Sequence, residues 1–284
     1  MIPTAYVDGR YAPLSRAAVS IQDRGFQFGD AVYEVWAARG GRLLDEAAHF
    51  ARLRRSLAEL RIPEPMSTRS LGAVIRETMR RNRVHDGVVY LQISRGAAPR
   101  DHAFPVSANP TLIVTAKSQD KFALTERAEQ GVKVITFPEN RWARRDIKST
   151  NLLGNVLAKQ AAIETGAHEA WFVDAEGLVT EGASSTAWIV DAQGRLRTRP
   201  LSNDILHGIT RASFLRLAQE RQIDVSETAF TPAEIKSARE ALLTSAGTIA
   251  LPVIAVDGDP IGEGRPGPLA TALRAAYLGA ESDR

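Results

Sequence analysis

Ala170-Trp171-Phe172-Val173-Asp174-Ala175-Glu176-Gly177-Leu178-Val179-Thr180-Glu181-Gly182-Ala183-Ser184-Ser185-Thr186-Ala187-Trp188-Ile189-Val190 is the stretch on which the reading of the fold turns. An apolar run, Ala170–Val173, meets the turn Asp174–Gly177. A strand near Leu178–Thr180, a loop of small residues and a further strand at Ser185–Val190 follow. β-Branched and aromatic residues bounded by Asp and Gly read as short strands joined by tight turns. Strands this close in sequence leave no room for a crossover helix, so they pair in an antiparallel or mixed sheet and not in a doubly wound parallel one.

The same alternation extends outward in both directions. Downstream, Asp191–Gly194 makes another hairpin turn, Ile209–Glu220 a helix, and Ala241–Thr244 and Val253–Val256 strands. Upstream lie a strand at Val132–Phe137 and a helix at Leu152–Glu164, where Leu152 and Val156, and Leu153 and Leu157, stack at four-residue spacing. Further upstream, Asp8-Gly9 turns between short runs in Tyr6–Tyr11, and Gly40-Gly41 turns strand Ala31–Arg39 into Arg42–Leu44. Asp45 is the expected N-cap of a helix from Glu46 to Leu60. A second helix covers Thr68–Asn82, and Val88–Ser94 and Thr111–Ala116 read as strands. The polar stretch Ser118–Gln130 is expected to hold a linker. The fold class expected is therefore mixed α/β (α+β) in two domains: a smaller N-terminal one over 1–117, a linker at 118–123 and a larger one over 124–284.

Composition narrows the function. With 284 residues, 44% hydrophobic and 24% charged, the chain has the balance of a soluble globular protein. No apolar run approaches the roughly 18 residues that a membrane helix needs, and Met1-Ile2-Pro3-Thr4 shows no secretory pattern. Cysteine is absent, which excludes disulfides, thiolate metal sites and a cysteine nucleophile and makes a cytoplasmic location the default. The five histidines show no metal-ligand spacing, so no metal is expected. A net charge of +3 without a Lys/Arg run gives no argument for nucleic acid. There is no Gly-x-Gly-x-x-Gly turn and no P-loop. Six lysines are present (Lys117, Lys121, Lys133, Lys148, Lys159 and Lys236), so lysine chemistry has few candidates.

Lys148, in Arg145-Asp146-Ile147-Lys148-Ser149-Thr150-Asn151, sits at the entrance to an apolar helix. Partial burial there disfavours an ammonium, and a neutral amine attacks an aldehyde to form a Schiff base; a plain surface lysine is the alternative. Glu181 lies among small residues between two strands. It is either an exposed turn residue or an inward carboxylate able to keep a pyridine nitrogen protonated. Gly208-Ile209-Thr210-Arg211 opens a helix whose free N–H groups suit a phosphate, and Thr244-Ser245-Ala246-Gly247-Thr248 offers hydroxyls and close approach. Either is equally a cap or a turn. Arg52 shares its helix with Arg54 and Arg55, where most arginines are solvated. Arg100 and His102, two apart in a loop, converge on one carboxylate if the loop is extended and are simply solvated if it is not.

Taken together and in order, these segments resemble the fold-type IV pyridoxal-phosphate (PLP) enzymes, most closely the D-amino-acid (D-alanine) aminotransferases among them. The set comprises Asp23-Arg24-Gly25-Phe26-Gln27-Phe28-Gly29-Asp30-Ala31-Val32-Tyr33-Glu34, His49-Phe50-Ala51-Arg52-Leu53, Asp146-Ile147-Lys148-Ser149 with Asn151-Leu152-Leu153, Thr180-Glu181-Gly182 and Gly208-Ile209-Thr210-Arg211, from about Tyr6 to Ile261. The resemblance implies a two-domain aminotransferase-like fold with PLP in the interdomain cleft. Lys148 would hold PLP as a Schiff base and act as general acid and base. Glu181 would bind the pyridine nitrogen, and Leu206 would pack on the ring. Arg52, Ile209, Thr210, Ser245 and Ala246 would hold the phosphate, and Ser185 would also contact the cofactor.

The loop Arg95–Pro105 is similar to the carboxylate trap of D-amino-acid aminotransferases. There Arg100 and His102 would clamp the substrate carboxylate with Tyr33, the loop reaching in from a neighbouring subunit, so a homodimer with shared active sites is implied. The substrates implied are a D-amino acid and a 2-oxo acid such as 2-oxoglutarate or pyruvate. Ala246 stands where a threonine is usual and Ile249 where a glutamate is usual. The rival readings are a branched-chain L-amino-acid aminotransferase, an aminodeoxychorismate lyase, and a non-catalytic protein of the same fold. Lys148 and Glu181 together argue against the last.

Overall fold

The computed structural model describes residues 2–107 and 109–282, so Met1 and Arg284, the outer limits of the expected domains, lie outside them. The chain divides into two compact units. The first runs to Lys121 and takes in Ile147–Asn151; the second comprises Phe122–Asp146 and the chain from Leu152 onward. The division differs from a contiguous one in a single place: the five residues around Lys148 go with the first unit.

In the first unit, strands β1 (Thr4–Val7), β2 (Arg10–Pro13), β3 (Ala31–Arg39), β4 (Arg42–Leu43), β5 (Gly87–Ser94) and β6 (Thr111–Ser118) form one sheet in the order β2-β1-β6-β5-β3-β4. Every pairing is antiparallel. The short helix α1 (Arg24–Phe28) precedes β3, and α2 (Glu46–Glu59) and α3 (Thr68–Asn82) follow β4. Leu53 and Leu57 of α2, Leu71 and Ile75 of α3, and Trp36, Leu91 and Ile93 of the sheet are fully buried in one core. Ile147 is buried in the same core. Beside it the chain bonds to β3: Tyr33 N donates to Lys148 O at 2.9 Å and Thr150 N to Ala31 O at 3.1 Å. Lys148 is thus carried by a backbone ladder on a buried strand.

The second unit contains helices α4 (Lys121–Gln130, which begins on the last residue of the first unit), α5 (Leu153–Glu164), α6 (Ile209–Glu220), α7 (Pro232–Lys236) and α8 (Pro268–Ser282). Its strands are β7 (Val132–Pro138), β8 (Glu169–Val173), β9 (Val179–Gly182), β10 (Thr186–Val190), β11 (Leu196–Arg197), β12 (Val225–Ser226), β13 (Glu240–Ser245), β14 (Ile249–Val256) and β15 (Asp259–Pro260). The sheet runs β12-β11-β10-β13-β14-β7-β8-β9, with β15 on β14. It is mixed: β14·β7, β7·β8 and β11·β12 are parallel and the others antiparallel. β10 is buried along its whole length, so its continuous apolar run reads as it should for a strand covered on both faces.

Several expectations change. The boundary between the units, after Lys121, falls inside the stretch 118–123, where β6 runs to Ser118 and α4 starts at Lys121. Asp45 is the N-cap of α2, but its backbone is left-handed at φ 48° and its side chain makes no capping bond. The four-residue stripe on α5 points outward, with Leu153, Val156 and Leu157 exposed, while Ala158 and Ala162 pack inward. Small residues there allow close approach to β8, a signal that hydrophobic periodicity overlooks.

Candidate active site

In the first unit, the Nζ of Lys148 lies 4.2 Å from the centre of the Tyr33 ring. Among the described residues it has no hydrogen-bond or ion-pair partner, so the amine is held against an aromatic face with its reactive end uncommitted. On α2, Arg52 and His49, three residues apart, meet Glu34 of β3, and all three are buried. Arg52 Nε donates to Glu34 Oε2 at 2.9 Å and Nη2 to Oε1 at 2.5 Å, while His49 Nδ1 lies 3.0 Å from Oε1. Burial opposes the Glu34 charge, but Arg52 and His49 outweigh it and hold the carboxyl far below its ordinary range. Burial pushes His49 down, so the ring is neutral and Nδ1 must carry the proton that faces the carboxylate. Arg52 is therefore not a solvated helix arginine; its plane is fixed by a bidentate carboxylate.

Tyr33 is half-buried and stacks on Tyr90 at 5.6 Å between centroids. Arg100 and His102 are exposed. Both lean on Phe28, with the Arg100 guanidinium 4.6 Å and the His102 ring 5.5 Å from the phenyl centre. The loop beneath them is anchored by buried Arg24, whose Nη1 donates to Asp101 O at 2.6 Å and Nη2 to His102 O at 3.3 Å. Arg100 and His102 are thus brought together on one ring, and among the described residues no hydrogen bond or ring contact joins either to Tyr33.

In the second unit, Glu181 is buried near the end of β9. Its Oε1 accepts from Arg141 Nη1 at 2.8 Å and its Oε2 from Leu206 N at 3.0 Å. Burial pushes the Glu181 carboxyl up; Arg141 and the Leu206 N–H pull it back only in part. The following turn is pinned from below by buried Glu169, which accepts from Ser184 N at 2.9 Å, Ser184 Oγ at 2.6 Å and the Ser185 hydroxyl. Gly208, the N-cap of α6, offers no side chain to the first turn. A Cβ there would sit 2.9 Å from Thr186 Oγ1. The N–H groups of Ile209 and Thr210 belong to the first turn, where an α-helix has no partner of its own to offer, and Thr210 is buried.

The Ser245–Thr248 turn closes on itself, the Ser245 and Thr248 hydroxyls lying 2.9 Å apart. It runs into Ile249, which holds φ 65°. A β-branched residue in the left-handed region is strained by about 1–3 kcal/mol. Arg274 of α8 clamps both flanking carbonyls, Thr248 O at 2.7 Å and Ala250 O at 2.6 Å. Ala246 is half-buried and offers its backbone alone.

The residues present fit PLP: an uncommitted lysine amine, a buried carboxylate of raised pKa, and a helix N-terminus with a glycine cradle for a phosphate. Sequence reasoning passed over Glu34, His49, Arg141, Glu169 and Arg274. Each acts by holding another residue, and single charges in a sequence carry no mark of their partners. The one available signal was Glu139-x-Arg141, whose two-residue spacing puts opposite charges on one side of an extended segment.

The family model described as amino-transferase class IV matches residues 31–256. A D-alanine aminotransferase from Bacillus licheniformis is 40% identical over 269 residues, covering 95% of this chain and 94% of the relative. One from Staphylococcus haemolyticus is 37% identical over 273 residues, covering 96% and 95%. Among solved structures, the Escherichia coli branched-chain amino acid aminotransferase superposes with a TM-score of 0.91 at 25% identity, covering 98% of this chain and 94% of that one. A hypothetical aminotransferase from Mycobacterium tuberculosis in a PLP-bound form superposes with a TM-score of 0.86 at 26% identity, covering 99% and 100%. With its lysine, its buried glutamate and its mixed sheet in place, the chain belongs to the class IV aminotransferases.

Proposed function

We propose that this chain is a PLP-dependent D-amino-acid aminotransferase of the D-alanine type, which passes the amino group to a 2-oxo acid such as 2-oxoglutarate or pyruvate. The observation that carries the reading is likeness along nearly the whole chain to D-alanine aminotransferases at 37–40% identity, with Lys148 uncommitted at its Nζ. When bound, PLP supplies an aldehyde carbon that takes up the amino group and a ring that accepts the electrons released at the amino acid's central carbon. Lys148 would hold the cofactor through its amine, and the same amine would serve as the general base and acid that moves a proton at the amino acid's central carbon. Glu181 would bind the ring nitrogen and favour its protonated form. Leu206 would pack on the ring, and Ser185 would contact the cofactor from the β9–β10 turn. Arg52, the Ile209 and Thr210 N–H groups, the Thr210 hydroxyl, and the Ser245 and Ala246 turn hold the phosphate.

The substrate carboxylate falls to Tyr33, Arg100 and His102. In this reading a second copy supplies the loop that carries Arg100 and His102, and a homodimer is part of the proposal. The exposed apolar residues of α5 and of the loop, Phe104 and Val106, support such an interface.

The test is a spectrum of the holoprotein. D-Alanine is expected to bleach the visible band of the lysine-linked cofactor, and L-alanine and L-leucine to do little. Bleaching by L-leucine alone would replace the D reading by the branched-chain one. Borohydride reduction should tag Lys148; a tag elsewhere would overturn its role.

A further inference from the structure

Arg141 joins an aromatic face to two buried carboxylates. Its guanidinium lies over Phe172, 4.0 Å from the ring centre. Gly154 of α5 leaves room for its stem, since a Cβ there would come within 2.9 Å of Arg141 Cγ. Nε donates to Glu139 Oε1 at 3.0 Å and Nη2 to Glu139 Oε2 at 2.7 Å, which leaves Nη1 to reach Glu181 Oε1 at 2.8 Å. The Arg141, Glu139 and Glu181 side chains are 6%, 6% and 7% exposed. Thr180 Oγ1 closes the group by donating to Glu139 Oε2 at 2.9 Å.

We infer that Arg141 is a positioning residue for Glu181: its fork, aimed by Glu139, fixes the Glu181 carboxylate and holds its negative charge ready for a protonated ring nitrogen. This rests on the reading that Glu181 faces that nitrogen. Two carboxylates and one guanidinium leave one net negative charge in a buried cluster, and a pyridinium is the cation that completes it. Glu139 takes most of the guanidinium, so Arg141 gives Glu181 one hydrogen bond without neutralising it. Burial favours the neutral acid at Glu181, and Arg141 is the largest influence against it, with the Leu206 N–H second. A carboxylate oxygen and a ring nitrogen share one proton, which settles on whichever holds it more tightly. Arg141 lies against the carboxylate and lowers its proton affinity more than that of the ring, so the proton goes to the ring. The other charge facing the cluster is Arg145, whose Nη1 lies 3.8 Å from Glu139 Oε1 and which is otherwise tied to Asp204.

The test is nitrogen-15 NMR of holoprotein reconstituted with PLP labelled at the ring nitrogen. The wild-type signal is expected at the pyridinium position. Arg141→Met should move it to the unprotonated pyridine position and lower kcat about tenfold or more, with PLP still bound. Glu139→Gln should leave the signal at the pyridinium position, because removing that negative charge makes Glu181 a poorer proton acceptor still. A merely structural role would move the signal alike in both variants or in neither, and either result overturns the inference. Should Arg141→Met not fold, a Glu139→Gln signal at the unprotonated position overturns it alone. A wild-type signal already unprotonated would instead sink the reading of Glu181 on which the inference rests.

Discussion

Glu34 is fully buried and charged, yet it reaches no substrate in the proposed reaction; its role is spent on Arg52 and His49. Removing one member of a buried charge pair leaves the other without its partner and costs about 3–5 kcal/mol. Glu34→Gln keeps the shape and one acceptor, so a loss near the lower end, about 3 kcal/mol, is expected. Equilibrium urea unfolding of the apoprotein measures it. The same variant should weaken PLP binding, because the guanidinium plane of Arg52 is set by that carboxylate. Unchanged stability together with unchanged PLP affinity would show that Arg52 is aimed by something else. The contrast with Lys148 is instructive. One residue is valuable because its polar end is fully engaged, the other because its amine is not.

Among the elements, the short run Ile147–Asn151 depends on α1 and β3. Gly29, the left-handed C-cap of α1 at φ 67°, packs so tightly that an added Cβ would fall 2.2 Å from Asn151 Oδ1. Thr150 Oγ1 donates to the carbonyl of the same glycine at 3.2 Å. Gly29→Ala must therefore displace the Asn151 side chain on the segment that carries Lys148, besides forcing an L-residue into αL at a cost of about 1–2 kcal/mol. The expected result is a lower melting temperature and, in the folded fraction, a kcat reduced at unchanged KM; a variant with only the stability loss would detach the glycine from catalysis. The Phe28-Gly29-Asp30 run was visible in the sequence as part of the motif Asp23–Glu34 that carries the family resemblance, but the clash with Asn151 joins positions far apart in the chain, and no local rule contains it. The same limit explains which elements were readable. β3, α3 and α6 were found with their bounds because their period and flanking residues agree. α8 was not, since its Ala-rich run carries little contrast between faces, and the polar stretch that becomes α4 looked like a linker. Lys148, Glu181 and the Gly208–Arg211 turn were legible as types of residue at chemically sensible places. Arg141 and Arg274 were not, because their meaning lies in carbonyls and carboxylates brought up by folding.

At the scale of the whole molecule, the exposed apolar residues need an account. Leu153, Val156 and Leu157 lie at i, i+3 and i+4 on one helix, a spacing that makes a continuous stripe on the outside of α5. Burying such side chains is worth about 1.5–3 kcal/mol each, which suits a face covered by a second copy of the chain. The proposed division of labour sharpens this into a test that stability alone cannot give. If Arg100 serves the active site of the other subunit, Arg100→Ala and Lys148→Ala damage different halves of different sites. Each homodimer is then deficient, Lys148→Ala in chemistry and Arg100→Ala in binding at low D-alanine. Denatured together and refolded as an equal mixture, half the dimers would be mixed, and each of these would hold one intact site. Activity at subsaturating D-alanine should then return to about a quarter of the wild-type value, as statistical pairing of two protomers requires. If Arg100 acts within its own chain, each mixed dimer has one site lacking Lys148 and one lacking Arg100, and mixing restores nothing. Leu157→Glu, placed on the stripe, supplies the control: introduced into both variants it should abolish the recovery and shift sedimentation toward the monomer if α5 is part of the contact.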